Sequence, residues 1–173
     1  MSPIVTKVIL FAVMVMISLS VTLFFTGYSN IVARELLQPQ VEEVAQYVGD
    51  EIKNLATLIL VSDSEILIKE LDIPPDIQSR GYVLSIYVEN GSVYLSIKLK
   101  SFPWNEARIL IGAYSISHPT TNYYYRDGWR IEFLDSIDSG YAGLSNYKIV
   151  VWAYRDKNNN SSICIGLGLG EKV

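Results

Sequence analysis

An uncharged apolar run near the start of the chain constrains the fold more than any other feature. Residues 8–28 read VILFAVMVMISLSVTLFFTGY, without a single charged side chain. As a helix rising ~1.5 Å per residue, the run is about 32 Å long, which matches the hydrocarbon core of a bilayer. Leaving half of these side chains in water would cost on the order of 20 kcal/mol, more than a domain's typical stability. The run therefore belongs in lipid or in an assembly of similar helices.

Composition excludes several classes of function for the rest of the chain. The 14 basic and 18 acidic residues give a net charge of −4, and the basic residues are scattered, so we expect no nucleic-acid partner. The single cysteine, Cys164, rules out an internal disulfide and a cysteine-rich metal site. Twelve tyrosines and three tryptophans suit surfaces half buried against a partner, although ordinary exposed strand faces explain any one of them equally well.

The N-terminus has the signals of a helix start. Ser2 suits the N-cap and Pro3 the first helical position, where its missing N–H costs nothing. Only Lys7 precedes the apolar run, and no small-residue cleavage site follows Phe25, so a secretory signal peptide is not indicated. We expect the helix to be retained.

The order Ser2-Pro3-Ile4-Val5 followed directly by an apolar run resembles the mature N-terminus of archaeal type IV pilins, over residues 2–26. Val5 stands where bacterial type IV pilins typically carry glutamate. In that family a prepilin peptidase removes a short basic leader, so the chain is either the mature form or departs from the family at this step. A Lys or Arg followed by Gly just upstream of Met1 would favour the pilin; a start codon at Met1 would favour an ordinary signal anchor.

The resemblance implies a homo-polymer. In it, hydrophobic helices bundle into the core of an extracellular filament after a stage in the cytoplasmic membrane, with the help of pilus assembly machinery. Lys7 should keep the N-terminus cytoplasmic by the positive-inside tendency. Small residues such as Ser20 and Gly27 should let neighbouring helices approach closely. The candidate polymerisation helix comprises Ile4, Val8, Phe11, Ala12, Val15, Ser18, Leu19, Thr22 and Phe25.

A second helical pattern follows the apolar run. Pro39 can interrupt or kink the helix near residues 36–38. Apolar residues then recur at spacings of three and four over residues 41–60, with charged residues on the other side. This pattern predicts a helix that docks on the chain's own β domain. The head-docking stripe comprises Val41, Val44, Ala45, Val48, Ile52, Leu55 and Ile59.

From Arg80 onward the period changes from helical to two. Residues 82–88 alternate, Asn90-Gly91 favours a type I′ turn, and residues 93–99 alternate again. A two-residue loop sets Val88 opposite Val93, which makes one face continuously apolar. Ile86 then faces Leu95, Leu84 faces Ile97, Tyr87 faces Tyr94 and Ser85 faces Ser96.

The remaining pattern predicts a small sandwich-like sheet structure. Strands are expected at 107–114, 123–125, 129–134, 147–155 and 162–169, with a possible short strand at 65–71 and turns near Ser139-Gly140 and 158–160. The predicted fold class is α+β: a hydrophobic helix (4–28) continues into an amphipathic helix (41–60) that packs on a head of about seven strands. The predicted domains are a helical region, 1–60, and a head domain, 61–173.

No residue cluster predicts catalysis, and we expect neither an enzyme nor a cofactor or metal. His118 is the only histidine, and Cys164 lies in an alternating strand pattern typical of a buried apolar residue. Asp156, Asn158 and Asn160 imitate the start of a calcium loop, but the glycine and the final glutamate of that motif are missing, so a hairpin turn explains them better.

Two further patterns concern surfaces. Gly166, Gly168 and Gly170 should share one face of the last strand, leaving that face bare for close approach of another group, within the subunit or between subunits. Glycosylation sequons begin at Asn90, Asn159 and Asn160, on predicted turns.

The interpretation that unites these features is a structural subunit of an archaeal type IV pilus-like filament, for adhesion or surface attachment. The alternative is a membrane-anchored β-sandwich binding module, such as the stator-like components of the archaeal swimming filament. An anchored enzyme or sensor is a third reading, which the lack of a catalytic constellation disfavours.

Overall fold

The computed structural model describes residues 3–116, 123–156 and 162–173. They form an α+β fold in which one long N-terminal helix, α1 (Pro3–Val61), packs against two antiparallel sheets of nine strands in total. This confirms the predicted fold class, with nine strands in place of about seven. The chain divides into two compact units, Met1–Leu36 and Leu37–Val173.

The strands follow α1 in chain order. They are β1 (Ile66–Glu70), β2 (Tyr82–Glu89), β3 (Ser92–Leu99), β4 (Glu106–Gly112), β5 (Tyr123–Arg126), β6 (Trp129–Leu134), β7 (Ser136–Asp138), β8 (Tyr147–Asp156) and β9 (Ser162–Lys172). A five-stranded sheet has the order β1-β8-β9-β6-β5, and a four-stranded sheet has the order β4-β3-β2-β7. All of these strand pairs are antiparallel.

Helix α1 continues through Pro39, so the helix is not interrupted near residues 36–38, the first of the two outcomes that the sequence allows. An interior proline removes one backbone hydrogen bond and costs ~3 kcal/mol. The turn that contains it is held by packing, because Leu37 and Val41 on either side are 2% and 0% exposed. Burial of these side chains offsets the lost hydrogen bond, an example of tertiary contacts overriding local propensity.

The hairpin of β2 and β3 confirms the predicted register. Val88 pairs with Val93, and Tyr87 with Tyr94, whose rings stack with centroids 6.0 Å apart. Asn90 and Gly91 both have positive φ, 52° and 75°, as a type I′ turn requires. The alternation buries one face of each strand at 7% exposure or less, namely Tyr82, Leu84, Ile86, Val93, Leu95, Ile97 and Leu99.

The five-stranded sheet is covered on both faces at its centre. Strand β8 buries Val151 and Ala153 on the face that carries Arg155, and Val150 and Trp152 on the other. A separate core cluster occupies this second face, formed by Ile131, Phe133, Val150, Trp152 and Cys164. The Phe133 and Trp152 rings meet edge to face, with centroids 5.0 Å apart.

The glycine face of β9 makes that second core possible. A Cβ on Gly166 would lie 2.4 Å from Cζ2 of Trp152, whose indole Nε1 donates a 2.7 Å hydrogen bond to the Leu167 carbonyl oxygen. The predicted bare face therefore admits a neighbouring strand's side chain within the same sheet. At Gly170 the nearest atom to an added Cβ would be 3.5 Å away, an ordinary contact.

The other strand predictions are confirmed to within a few residues, and one strand was missed. The possible strand at 65–71 is present as β1, whereas β7, with only three residues, has no counterpart in the prediction. The predicted turn at Ser139-Gly140 is the start of a 3₁₀ helix, Ser139–Gly143, capped by the Asp138 carboxylate, which accepts a 2.9 Å hydrogen bond from the Gly140 N–H.

Candidate polymerisation helix and head-docking surface

The first unit exposes an apolar helix surface on all sides. Every residue from 4 to 31 is exposed, and its large apolar side chains range from 42% at Val15 to 72% at Leu23. All nine residues of the candidate polymerisation helix, from Ile4 to Phe25, lie in this region and are exposed. Within the described part of the chain, α1 is the one helix long and apolar enough to cross a membrane. Such a helix suggests membrane insertion or secretion.

Hydroxyl groups inside the apolar run are satisfied by the helix itself. The Ser20, Thr22 and Thr26 hydroxyls donate to carbonyl oxygens four residues earlier, at 2.8 to 2.9 Å. Polar groups that pair within the helix do not need water, which is a requirement for residing in lipid or in a helix bundle. The sequence shows these residues as polar interruptions of the run; the structure shows that their hydroxyl hydrogens are bonded within the helix.

The second unit buries the head-docking stripe. Val41, Ala45, Val48, Ile52 and Ile59 are fully buried, Leu55 is 5% exposed, and Val44 is half-buried. Leu37 and Ala56 lie on the same buried side.

Gly49 completes this surface, and the sequence analysis did not single it out. A Cβ at Gly49 would lie 2.9 Å from Cγ2 of Ile109 and 3.5 Å from Cδ1 of Ile111, both in β4. The helix backbone therefore approaches the four-stranded sheet more closely than a side chain at this position would allow. The position of Gly49, next to Val48 in the stripe, is the sequence signal that could have identified it.

Polar contacts hold the buried part of α1 at both ends. The Gln38 side-chain amide donates to the Glu106 carbonyl oxygen at 3.1 Å. At the other end the Arg155 guanidinium donates to the carbonyl oxygens of Ile59 and Ser62. A cation that caps the last carbonyls of a helix also interacts favourably with its macrodipole. A third contact joins Lys69 of β1 to Glu51.

Four groups in the described part of the β-sheet domain have shifted pKa values: the pKa of Arg108 is raised by its hydrogen bond to Glu106, and the other three groups are Tyr82, Glu106 and Asp138. Burial raises the pKa of the Tyr82 phenol, and nearby Asp76 adds to the shift; the hydroxyl donates to the Pro74 carbonyl oxygen at 2.5 Å. The Arg108 hydrogen bond, at 2.8 Å, lowers the pKa of the Glu106 carboxyl. The Lys100 hydrogen bond likewise lowers the pKa of Asp138. These groups make structural contacts and form no converging set.

The remaining candidate residues are dispersed. Asn90 is exposed at the tip of the β2–β3 turn, where an enzyme that attaches glycans could reach it, while Asn159 and Asn160 lie outside the described residues. Cys164 is buried. His118 and the calcium-like asparagines are also outside that part of the chain, and the described residues contain no group of three or more side chains that could hold a metal ion.

Comparison with known proteins gives no family assignment. No family model, curated protein or solved structure matches this chain. Its architecture, an N-terminal apolar helix packed on a C-terminal antiparallel β-sheet domain, is nevertheless pilin-like. A likeness of architecture concerns the fold, and the function has to be argued from the surfaces.

Proposed function

We propose that this chain is a pilin: a structural subunit that polymerises through its hydrophobic N-terminal helix into an archaeal type IV pilus-like filament at the cell surface. Before assembly the helix is held in the cytoplasmic membrane. The filament serves adhesion or surface attachment. No catalytic role is part of this proposal.

The observation that carries the proposal is the exposure of apolar side chains on every side of residues 4–31. A helix that buried one stripe against its own domain would have a polar opposite face, as residues 41–60 do. A helix without a polar face needs an apolar environment all round it. Neighbouring helices of other copies supply that environment in a filament, and lipid supplies it before assembly.

Close packing, and not a charge pair, is the proposed basis of assembly. Val5 offers no carboxylate to meet the amine of a neighbouring subunit. Helix association in an apolar medium depends on van der Waals packing, which small residues favour. Ala12 and Ser18 are small and exposed, and apart from the local helix backbone and the adjacent residues no atom of the described residues lies within 4 Å of a Cβ added at Gly27. These positions leave room for a second helix.

The experiment compares filament formation with membrane insertion. Ala12→Trp and Ser18→Trp should abolish filaments, counted by electron microscopy, while the membrane-inserted protein measured by immunoblot stays at its normal level. Phe24→Trp is the matched control, because Phe24 is already large and 68% exposed, and filaments should persist. Lys7→Gln should reduce filament number at most, since Lys7 orients the precursor and does not align subunits.

Filaments that persist in both tryptophan variants would show that the helix is only an anchor. The chain would then be a membrane-anchored β-sandwich module, the alternative that the sequence leaves open. Loss of filaments together with loss of inserted protein would also contradict the proposal, because the effect would then be on insertion.

A further inference from the structure

The turn between β3 and β4 presents an aromatic pair at the surface. Trp104 is 51% exposed, the largest exposure of a described tryptophan, and its ring meets the Phe102 ring edge to face, with centroids 5.3 Å apart. Pro103, between them, is also exposed. An exposed tryptophan on a protruding turn is costly in water and is typical of a contact surface.

The turn is fixed in shape. The Asn105 N–H donates to the Phe102 carbonyl oxygen at 2.9 Å, which closes a four-residue turn with Pro103 at its second position, where proline is favoured. The Leu99 N–H donates to the Asn105 carbonyl oxygen, and Asn105 itself is fully buried. A turn fixed by these bonds keeps Trp104 exposed beside the half-buried Phe102, so little conformational entropy is lost when the turn meets a partner.

The turn contacts α1 at Gln38, a few residues after the end of the apolar segment. The Asn105 side-chain amide donates to Gln38 Oε1 at 3.4 Å, and Gln38 in turn donates to the Glu106 carbonyl oxygen. Gln38 is four residues after Arg34, the first charged residue that follows the apolar run. Four residues span at most about 14 Å in any conformation. Because so few residues separate Gln38 from Arg34, the aromatic turn is tethered close to the segment that leaves an apolar medium, whatever the angle between the two units.

The chemistry of the turn matches a membrane–water interface. Tryptophan concentrates at that level of a bilayer because its ring is apolar and its N–H polar. The Arg80 guanidinium lies 4.1 Å from the Phe102 ring centroid. A cation held beside aromatic rings can reach lipid phosphates while its stem stays in apolar surroundings.

We propose that the turn at residues 102–105 rests in the interfacial region of the bilayer that holds α1, with Trp104 and Phe102 among the headgroups and acyl-chain ends and Arg80 at the phosphates. The turn thereby fixes the β-sheet domain against the membrane surface while the protein awaits assembly. This inference rests only on membrane insertion of the helix, which the pilin and the anchored module share.

Fluorescence quenching by brominated lipid tests the contact directly. The full-length protein is reconstituted, at about one chain per vesicle, in phosphatidylcholine–phosphatidylglycerol vesicles whose acyl chains carry bromine close to the headgroups. Wild type and Trp129→Phe should lose tryptophan emission relative to the same protein in unbrominated vesicles. In Trp104→Phe, brominated lipid should quench the remaining tryptophan emission much less. Trp129 is the matched control, because it is half-buried in β6 of the other sheet.

Equal fractional quenching of wild type and Trp104→Phe would overturn the proposal. So would a Trp104 emission that is shielded from acrylamide but unaffected by brominated lipid, since protein and not lipid would then cover the turn. The Trp104→Phe protein should fold as well as wild type, because position 104 is exposed. Circular dichroism of the variant checks this. The assay contains no filaments, so its outcome is independent of the pilin proposal.

Discussion

Gly166→Ala provides a sharp test of the packing between β8 and β9. The new methyl group would lie 2.4 Å from Cζ2 and 2.7 Å from Cε2 of Trp152, distances that real Cβ atoms essentially never show. Trp152 is 1% exposed and cannot swing into solvent without leaving the core. The ring has to shift, which weakens its 2.7 Å hydrogen bond to the Leu167 carbonyl oxygen.

The expected destabilisation combines two effects. Overpacking a well-packed core costs about 1–3 kcal/mol, and leaving a buried donor without its acceptor costs about 1–3 kcal/mol. We therefore expect the free energy of unfolding to fall by about 2–6 kcal/mol. For a domain of this size each kcal/mol lowers Tm by about 2–4 °C.

Two further glycines of β9 supply the controls. An added Cβ would come within 3.0 Å of Val150 at Gly168 but only within 3.5 Å of its nearest neighbour at Gly170. Gly170→Ala should be neutral or stabilise by up to about 1 kcal/mol, because alanine restricts the unfolded chain. Gly168→Ala should fall between the two.

Urea denaturation of the full-length protein in detergent, followed by near-ultraviolet circular dichroism, measures the series. Combining Gly166→Ala with Trp152→Phe should cost less than the sum of the single changes, because the smaller ring leaves space for the methyl group. If Gly166→Ala and Gly170→Ala unfold within about 0.5 kcal/mol of each other, the close approach of Trp152 to β9 is wrong.

Two other predictions concern the docked helix and the carboxylates. Val48→Asp should lower stability by several kcal/mol and make the β-sheet domain protease-sensitive, because Val48 is fully buried, whereas Leu58→Asp, at a position 54% exposed, should leave proteolysis unchanged. Equal sensitivity of the two variants would contradict docking by the stripe. The lowered pKa of Asp138 means that its contribution to stability is present above its ordinary value of 3.8 and is lost as pH falls through the lower folded value. As pH falls below about 4, the unfolding midpoint of Asp138→Asn should therefore decrease less than that of wild type. If the midpoints of the two proteins decrease equally with falling pH, this role of Asp138 is refuted.

Structural elements that depend on residues adjacent in sequence could be predicted from local patterns. The β2–β3 register followed from alternation and from Asn90-Gly91, because turn type and side-chain period together leave one pairing. The exposure of residues 4–31 likewise followed from a run without a polar face.

Features that depend on distant partners could not be predicted in this way. Strand β7 has only three residues, too few to show a period, and exists because Ser85 and Leu84 of β2 offer it a partner edge. The helix passes through Pro39 because its flanking side chains are buried by the β-sheet domain. The need for glycine at position 49 comes from Ile109, sixty residues further along the chain.

Helix α1 is attached at both ends of its buried part, by Gln38 at one end and by Arg155 of β8 at the other, and this has a mechanical consequence. Between these contacts the buried side of the helix extends over residues 37–59, about 33 Å at 1.5 Å per residue. A force along the helix axis acts on all of these contacts at once, in shear, so each contact bears only part of it. Peeling at right angles to the axis would instead break them one after another. In the proposed filament, tension would act along the helices, which is the direction in which this docked segment resists load best.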